Sequence, residues 1–200
     1  FIVEIQVQLD TKKVQLEVSN EARDWLAERQ AKDGHWAFEL EADATIPAEY
    51  IMLNHYLDEI DDAVEAKLVA YLKNTQGKHG GWPLYYDGDF NISASVKAYL
   101  ALKLAGEDVD GPYMRWARKA ILEHGGAARS NVFTRFALAL FGQVPWRAVP
   151  VMLVQIILLP RWFPFHLSKV SYWTRTVLTP LLVLMAKKPR ARNPLGVKID

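Results

Sequence analysis

A chain of 200 residues, half of them hydrophobic, is long enough to bury a real core and too apolar to be disordered. Its 24 basic and 23 acidic residues leave a formal charge of +1, so nothing global points to nucleic acid or another polyanion. The absence of cysteine excludes disulfides, thiolate metal sites and a catalytic thiol, and it fits a reducing compartment.

Residues 1–20 alternate Ile, Val and Leu with polar residues, the pattern of a short strand or an irregular segment, without the basic start and apolar run of a signal peptide. No Met opens the chain, and a missing upstream segment is expected. From residue 21 the pattern is helical, and residues 21–200 read as one domain. Residues 21–30 set Ala22, Trp25, Leu26 and Arg29 on one face, with Ser19 or Asn20 as N-cap and Asp33-Gly34 as stop. Residues 47–57, with Pro47 in a first turn where proline is tolerated, form a mostly apolar second helix. Residues 61–76 form a third, with Val64, Leu68, Tyr71 and Leu72 at helical spacing and Asp61 and Asp62 at its positive end. A Gly- and Tyr-rich loop leads to Ser93, a good N-cap for an apolar helix over residues 94–105 that Gly106 ends. An amphipathic helix over residues 112–124 stops at Gly125-Gly126, and residues 131–141 return to the apolar type.

A repeat organises these elements. Trp25-Leu-Ala-Glu-Arg-Gln30-Ala-Lys-Asp-Gly34-His-Trp36 recurs 46 positions later as Tyr71-Leu-Lys-Asn-Thr-Gln76-Gly-Lys-His-Gly80-Gly-Trp82. A recurring unit of this size implies one supersecondary motif used several times. Three helix pairs follow, each joining a polar-faced helix to an apolar one, and this alternation suits an inner apolar layer wrapped by an outer amphipathic one. Gln30 and Gln76 can serve free backbone groups at helix ends, while Trp36 and Trp82 can close the turn by stacking on the neighbouring hairpin. With Gly34 and Gly80, they read as structural residues.

The last third differs. Residues 144–165 are almost wholly apolar, but Pro145, Pro150, Pro160 and Pro164 cut them and Arg147, Gln155 and Arg161 interrupt them, so they do not form a spanning helix. Residues 172–186 are a second apolar run followed by Lys187, Lys188, Arg190 and Arg192. That pattern suits either a buried helix with a solvated basic loop or a hold on an anionic membrane face. The ending lacks a helix stop, as a chain cut in mid-protein would.

The five histidines show no pair at metal-ligand spacing on one helix, so no metal is expected, and the glycine-rich loops lack the strand and Lys-Ser or Lys-Thr of a phosphate cradle. Asp58-Glu-Ile-Asp61-Asp62 lies between two helices in a polar setting and is not read as an acid site.

The paired Gln-x-x-x-Gly-x-Trp turns resemble the QW repeats of the squalene-hopene and oxidosqualene cyclase family. Residues 33–50, 131–136, 141–150 and 159–173 resemble the amino-terminal part of the bacterial squalene-hopene cyclases, so the resemblance covers residues 21–200. It implies an all-α fold, an incomplete alpha-alpha toroid that is the first of two. It also implies squalene as substrate and hopene or hopanol as product, no cofactor, no nucleic acid, and monotopic attachment to one membrane leaflet on the cytoplasmic side of a bacterium. A homodimer is a candidate assembly. The family's chemistry starts when the acid form of an Asp-x-Asp-Asp aspartate protonates a terminal alkene. The cations that follow need a dry cavity with aromatic faces and no lone pairs. No Asp-x-Asp-Asp occurs in these residues, so no catalytic residue is assigned and the fragment alone is expected to be inactive. By the same resemblance Trp173 lines the substrate cavity, Glu49 lies near it, and Phe133 and Asn131 approach it. From the residues alone, Trp173 equally suits a core anchor, Glu49 a helix-dipole partner and Asn131 an N-cap.

Two other classes share the hairpin pattern. One is a helical-hairpin repeat module without chemistry that binds a membrane or a protein. The other, a protein prenyltransferase toroid, is weakened by the lack of an Asp/Cys/His zinc set. An Asp-x-Asp-Asp with further repeats downstream in the same gene distinguishes the cyclase from the module.

Overall fold

In a computed structural model, residues 17–37 and 43–199 are described. The chain divides into two compact units, Phe1–Glu41 and Ala42–Asp200. Among the described residues every regular element is helical, as the sequence leads one to expect.

In the first unit helix α1 occupies residues 17–28. The strand-like alternation therefore does not extend to residues 17–20, which are helical, and Ser19 and Asn20 lie inside α1 rather than capping it. The rest of the expected N-terminal segment, residues 1–16, lies outside the described residues. On α1 the Arg29 guanidinium sits 3.8 Å over the Trp25 ring.

The second unit is built from α2 (Thr45–Leu57), α3 (Asp62–Asn74), α4 (Ile92–Leu104), α5 (Pro112–Glu123), α6 (Val132–Leu140) and α7 (Tyr172–Lys187). Asp61 caps α3 by accepting from the backbone N–H groups of Ala63 and Val64, so the acidic cluster Asp58–Asp62 is spent on helix ends. Asp58 holds the left-handed C-cap of α2 and binds Arg192 at 3.0 Å. The cap of α4 is Asn91 rather than Ser93. Asn91 Oδ1 accepts from Ala94 N at 3.0 Å, which leaves the Ser93 hydroxyl to accept the Asn131 N–H at 2.9 Å. Gly106 and Gly142 end α4 and α6 with the same pair of bonds. In each, the glycine N–H reaches three residues back and the next N–H five back, a closure that needs the positive φ of +81° and +68° found there.

Burial separates two kinds of helix. Eleven of the thirteen residues of α4 are buried, and it packs against α2, α5 and α6. By contrast α5 buries only Met114, Ala117, Ala120 and Ile121, and α3 only Val69 and Leu72. The layer of α2, α4 and α6 is thus the apolar one, with α3 and α5 against it. A second cluster joins Phe136 and Ala139 of α6 to Trp146, Val149 and Met185 of α7. Residues 150–170 form short 3-10 turns between prolines, and much of their apolar surface stays exposed.

Candidate functional site

The repeat turns are one structure used twice. Gln30 Nε2 donates to Gly34 O at 2.6 Å, and Gln76 Nε2 to Gly80 O at 2.7 Å. Trp36 Nε1 donates to Leu26 O at 2.7 Å, and Trp82 Nε1 to Leu72 O at 2.8 Å. Gly34 and Gly80 take φ of +90° and +85°. The sequence expectation assigned the helix end to the glutamine and stacking to the tryptophan, and the bonds distribute differently. The glutamine closes the turn on itself, and the indole N–H supplies a donor to a carbonyl of the helix's last turn, one of the four a helix leaves free. Gln76 adds a 3.1 Å bond to Tyr113 O of α5, and the Trp82 backbone N–H donates to Ser95 Oγ of α4 at 2.9 Å. Trp82 therefore pins α3 to α4 from a fully buried position, at 0% exposure. Its counterpart Trp36 is 47% exposed.

The residues expected near a cavity separate into two groups. Glu49, on α2, meets Lys97 of α4, whose ammonium donates to Glu49 Oε1 at 2.5 Å. Lys97 is 6% exposed, while the Glu49 side chain keeps 51% of its surface open. Asn131 caps α6, its Oδ1 accepting from Thr134 N at 2.8 Å, and its backbone is tied to Ser93 of α4. Phe133 projects from the first turn of α6 and is half exposed. The starts of α4 and α6 thus stand together, beside the Glu49–Lys97 pair. Trp173 stands apart from these contacts, on the first turn of α7 and 74% exposed, in a stretch that also exposes Leu158, Trp162, Phe165 and Tyr172.

Lys97 is the residue that sequence reasoning missed. Its one sequence signal is its place in the apolar run of residues 94–105, which reads as a buried helix. A lysine at such a position must be paired.

Other charges serve packing. His55 Nε2 and Glu65 Oε2 are joined at 2.7 Å between α2 and α3. Glu107 takes the Tyr113 hydroxyl and, at 2.6 Å, the Lys73 ammonium. Burial works to raise the Glu107 pKa, but the Lys73 and Tyr113 hydrogen bonds and the Lys73 charge outweigh it and hold the carboxyl below its ordinary value. Burial and then the Glu107 hydrogen bond push the Tyr113 hydroxyl up. A cleft of about 390 Å³ is lined by Asp62, Glu65, Lys73 and Glu107 among others. No group of three or more acidic or histidine side chains among the described residues could hold a metal ion, and no described helix is long and apolar enough to cross a membrane.

An all-helical domain with a buried inner layer, joined by Gln-Gly-Trp turns, defines the class: a helical-hairpin repeat protein whose inner helices α2 and α4 are bridged by the Glu49–Lys97 pair. Residues 19–200 match the squalene-hopene cyclase N-terminal domain, and the chain belongs to that family. It is 62% identical over 172 residues to a squalene-hopene cyclase of Bradyrhizobium diazoefficiens, covering 86% of this chain and 26% of that protein. The squalene-hopene cyclase of Zymomonas mobilis is 59% identical, with 88% and 27% covered. A dammaradiene synthase of Dryopteris crassirhizoma is 34% identical, with 92% and 27% covered. The chain thus spans about a quarter of the length of these curated relatives.

Proposed function

We propose that this chain is the N-terminal part of a squalene-hopene cyclase, which turns squalene into hopene or hopanol by proton-initiated polycyclisation. The observation that carries the reading is the 62% identity to a squalene-hopene cyclase, maintained across nearly the whole chain. In this reading the helices continue into an alpha-alpha toroid whose inner layer, α2, α4 and α6, walls the substrate cavity. Glu49, Phe133, Asn131 and Trp173 face the substrate, and the proton donor lies in a part of the enzyme that this chain does not contain. A hydrocarbon cation needs water kept out and aromatic faces in, and the apolar inner layer supports that role. The exposed run of Leu158, Trp162, Phe165 and Tyr172, with Lys187 ending α7 and Lys188 and Arg190 beyond it, supports monotopic attachment to an anionic leaflet, on the cytoplasmic side of a bacterial membrane. A homodimer completes the proposed assembly.

The test is a segment exchange. Residues 19–200 replace the matching segment of the Bradyrhizobium enzyme, and the purified chimera is incubated with squalene and its extract analysed by gas chromatography. Hopene or hopanol from the chimera, and none from the 200-residue chain alone, is the expected result. A chimera that folds, as circular dichroism and a cooperative melt would report, but forms no triterpene refutes the reading.

A further inference from the structure

Among the described residues, Lys97 is a buried cation of the inner layer that the proposed reaction does not use. It sits on a helix whose other buried residues are apolar or small, and it is the buried member of its pair, while the Glu49 carboxylate is the member facing open space. A buried ammonium is tolerated only with a close partner, and Glu49 is the partner here, at 2.5 Å from the neighbouring inner helix.

We propose that Lys97 is a positioning residue. Resting on the cyclase reading, its ammonium holds the Glu49 carboxylate against α4, so that substrate meets a fixed ion pair instead of a mobile anion. The chemistry gives the reason. A free carboxylate beside a carbocation acts as a base: the C–H bond next to the cationic carbon breaks, its electron pair closes an alkene, and the proton moves to Glu49. Cyclisation then ends early. A carboxylate already hydrogen-bonded to an ammonium is held in place and cannot swing toward the cation.

The experiment uses the full-length chimera described above and the variants Lys97→Met, Glu49→Gln and Glu49→Gln/Lys97→Met. Lys97→Met leaves Glu49 unpaired. It is expected to lower kcat/KM by about tenfold or more and to raise the share of incompletely cyclised alkenes among the products. The neutral double variant has no anion to misplace, so it is expected to turn over faster than Lys97→Met and to release a smaller share of incompletely cyclised alkenes. A packing defect from losing the lysine would weaken Lys97→Met and the double variant alike, so a double no better than the single overturns the proposal, as does a Lys97→Met enzyme with parental products. Thermal melts of the same set need no turnover. Glu49→Gln strands the buried ammonium and should melt below the double variant. If the unsubstituted chimera makes no triterpene, the cyclase reading fails, and the melts alone decide whether Glu49 and Lys97 are coupled.

Discussion

Replacing Trp82 and Trp36 by phenylalanine, one at a time, tests whether the two repeat turns differ in energy as they differ in burial. Both indoles make the same bond, at 2.8 Å and 2.7 Å. In Trp82→Phe the Leu72 carbonyl loses a donor where water does not reach, which costs about 1–3 kcal/mol. The smaller ring also leaves a void on the order of 40 Å³, and at about 24 cal/mol per Å³ this adds about 1 kcal/mol. The sum, about 2–4 kcal/mol, corresponds to a fall in Tm of about 4–16 °C for a unit of this size. In Trp36→Phe the ring is 47% exposed, so water can take over the Leu26 carbonyl, and the expected cost is under about 1 kcal/mol. Thermal melts give the total, and hydrogen exchange of the peptides that end α1 and α3 locates it. Faster exchange should appear at Leu72 to Gln76 in the Trp82 variant and hardly at all at the matching residues in the Trp36 variant. Equal shifts, or a larger one for Trp36→Phe, would refute the argument that burial sets the strength of the joint.

Thr134 is fully buried and its hydroxyl has no partner among the described residues, so Thr134→Val should leave stability unchanged or raise it by up to about 1 kcal/mol, read by urea denaturation. The Glu107 carboxyl titrates below its ordinary value, so its contribution to stability is full above the unfolded-state value and lost as pH falls through the folded one. The difference in Tm between the parent and Glu107→Gln should therefore shrink on acidification through the carboxylate range, and a difference that grows would contradict the assigned network. Trp173→Ala should melt within about 0.5 kcal/mol of the parent, since the ring is 74% exposed, yet lower squalene turnover in the chimera by about tenfold if its face meets a cation.

What the sequence made legible was local. The 46-residue offset, the glycine stops and the alternation of apolar with amphipathic helices are short-range signals, and the helices lie within one to three residues of where they place them, apart from the earlier start of α1. The misassigned cap of α4 shows the limit. Asn91 and Ser93 are both good N-caps, and the choice is made by Asn131, 38 residues away, whose N–H occupies the serine hydroxyl. The Glu49–Lys97 pair is of the same kind, with partners 48 residues apart. A lysine in an apolar run reads as a residue that snorkels to water, and only the partner helix shows that it cannot. The division of labour between glutamine and tryptophan was hidden too, because both can donate and composition does not tell which carbonyl each will reach.

The tertiary contacts also give the inner layer a direction. Near the helix starts, Ser93 bonds Asn131 and Lys97 bonds Glu49. At the other end one C-terminal segment ties the helix ends. Arg192 binds Asp58 at the end of α2, Lys103 of α4 donates to Lys198 O, and Ala191 N donates to Leu140 O of α6, while the Gln143 amide holds Val197 O and Ile199 N. Helices whose starts meet each other and whose ends meet one strap run parallel. Their C-terminal carbonyls then gather where Lys103, Gln143 and the strap's N–H groups supply donors. The two ends are therefore not equivalent. One is closed by hydrogen bonds to the C-terminal segment, and the other carries a half-open carboxylate held by a buried lysine. The chemistry proposed for the inner wall belongs at the end where the helices begin, which is why Lys97, and not a residue of the better-bonded strap, is the position at which a single substitution should change products before it changes the fold.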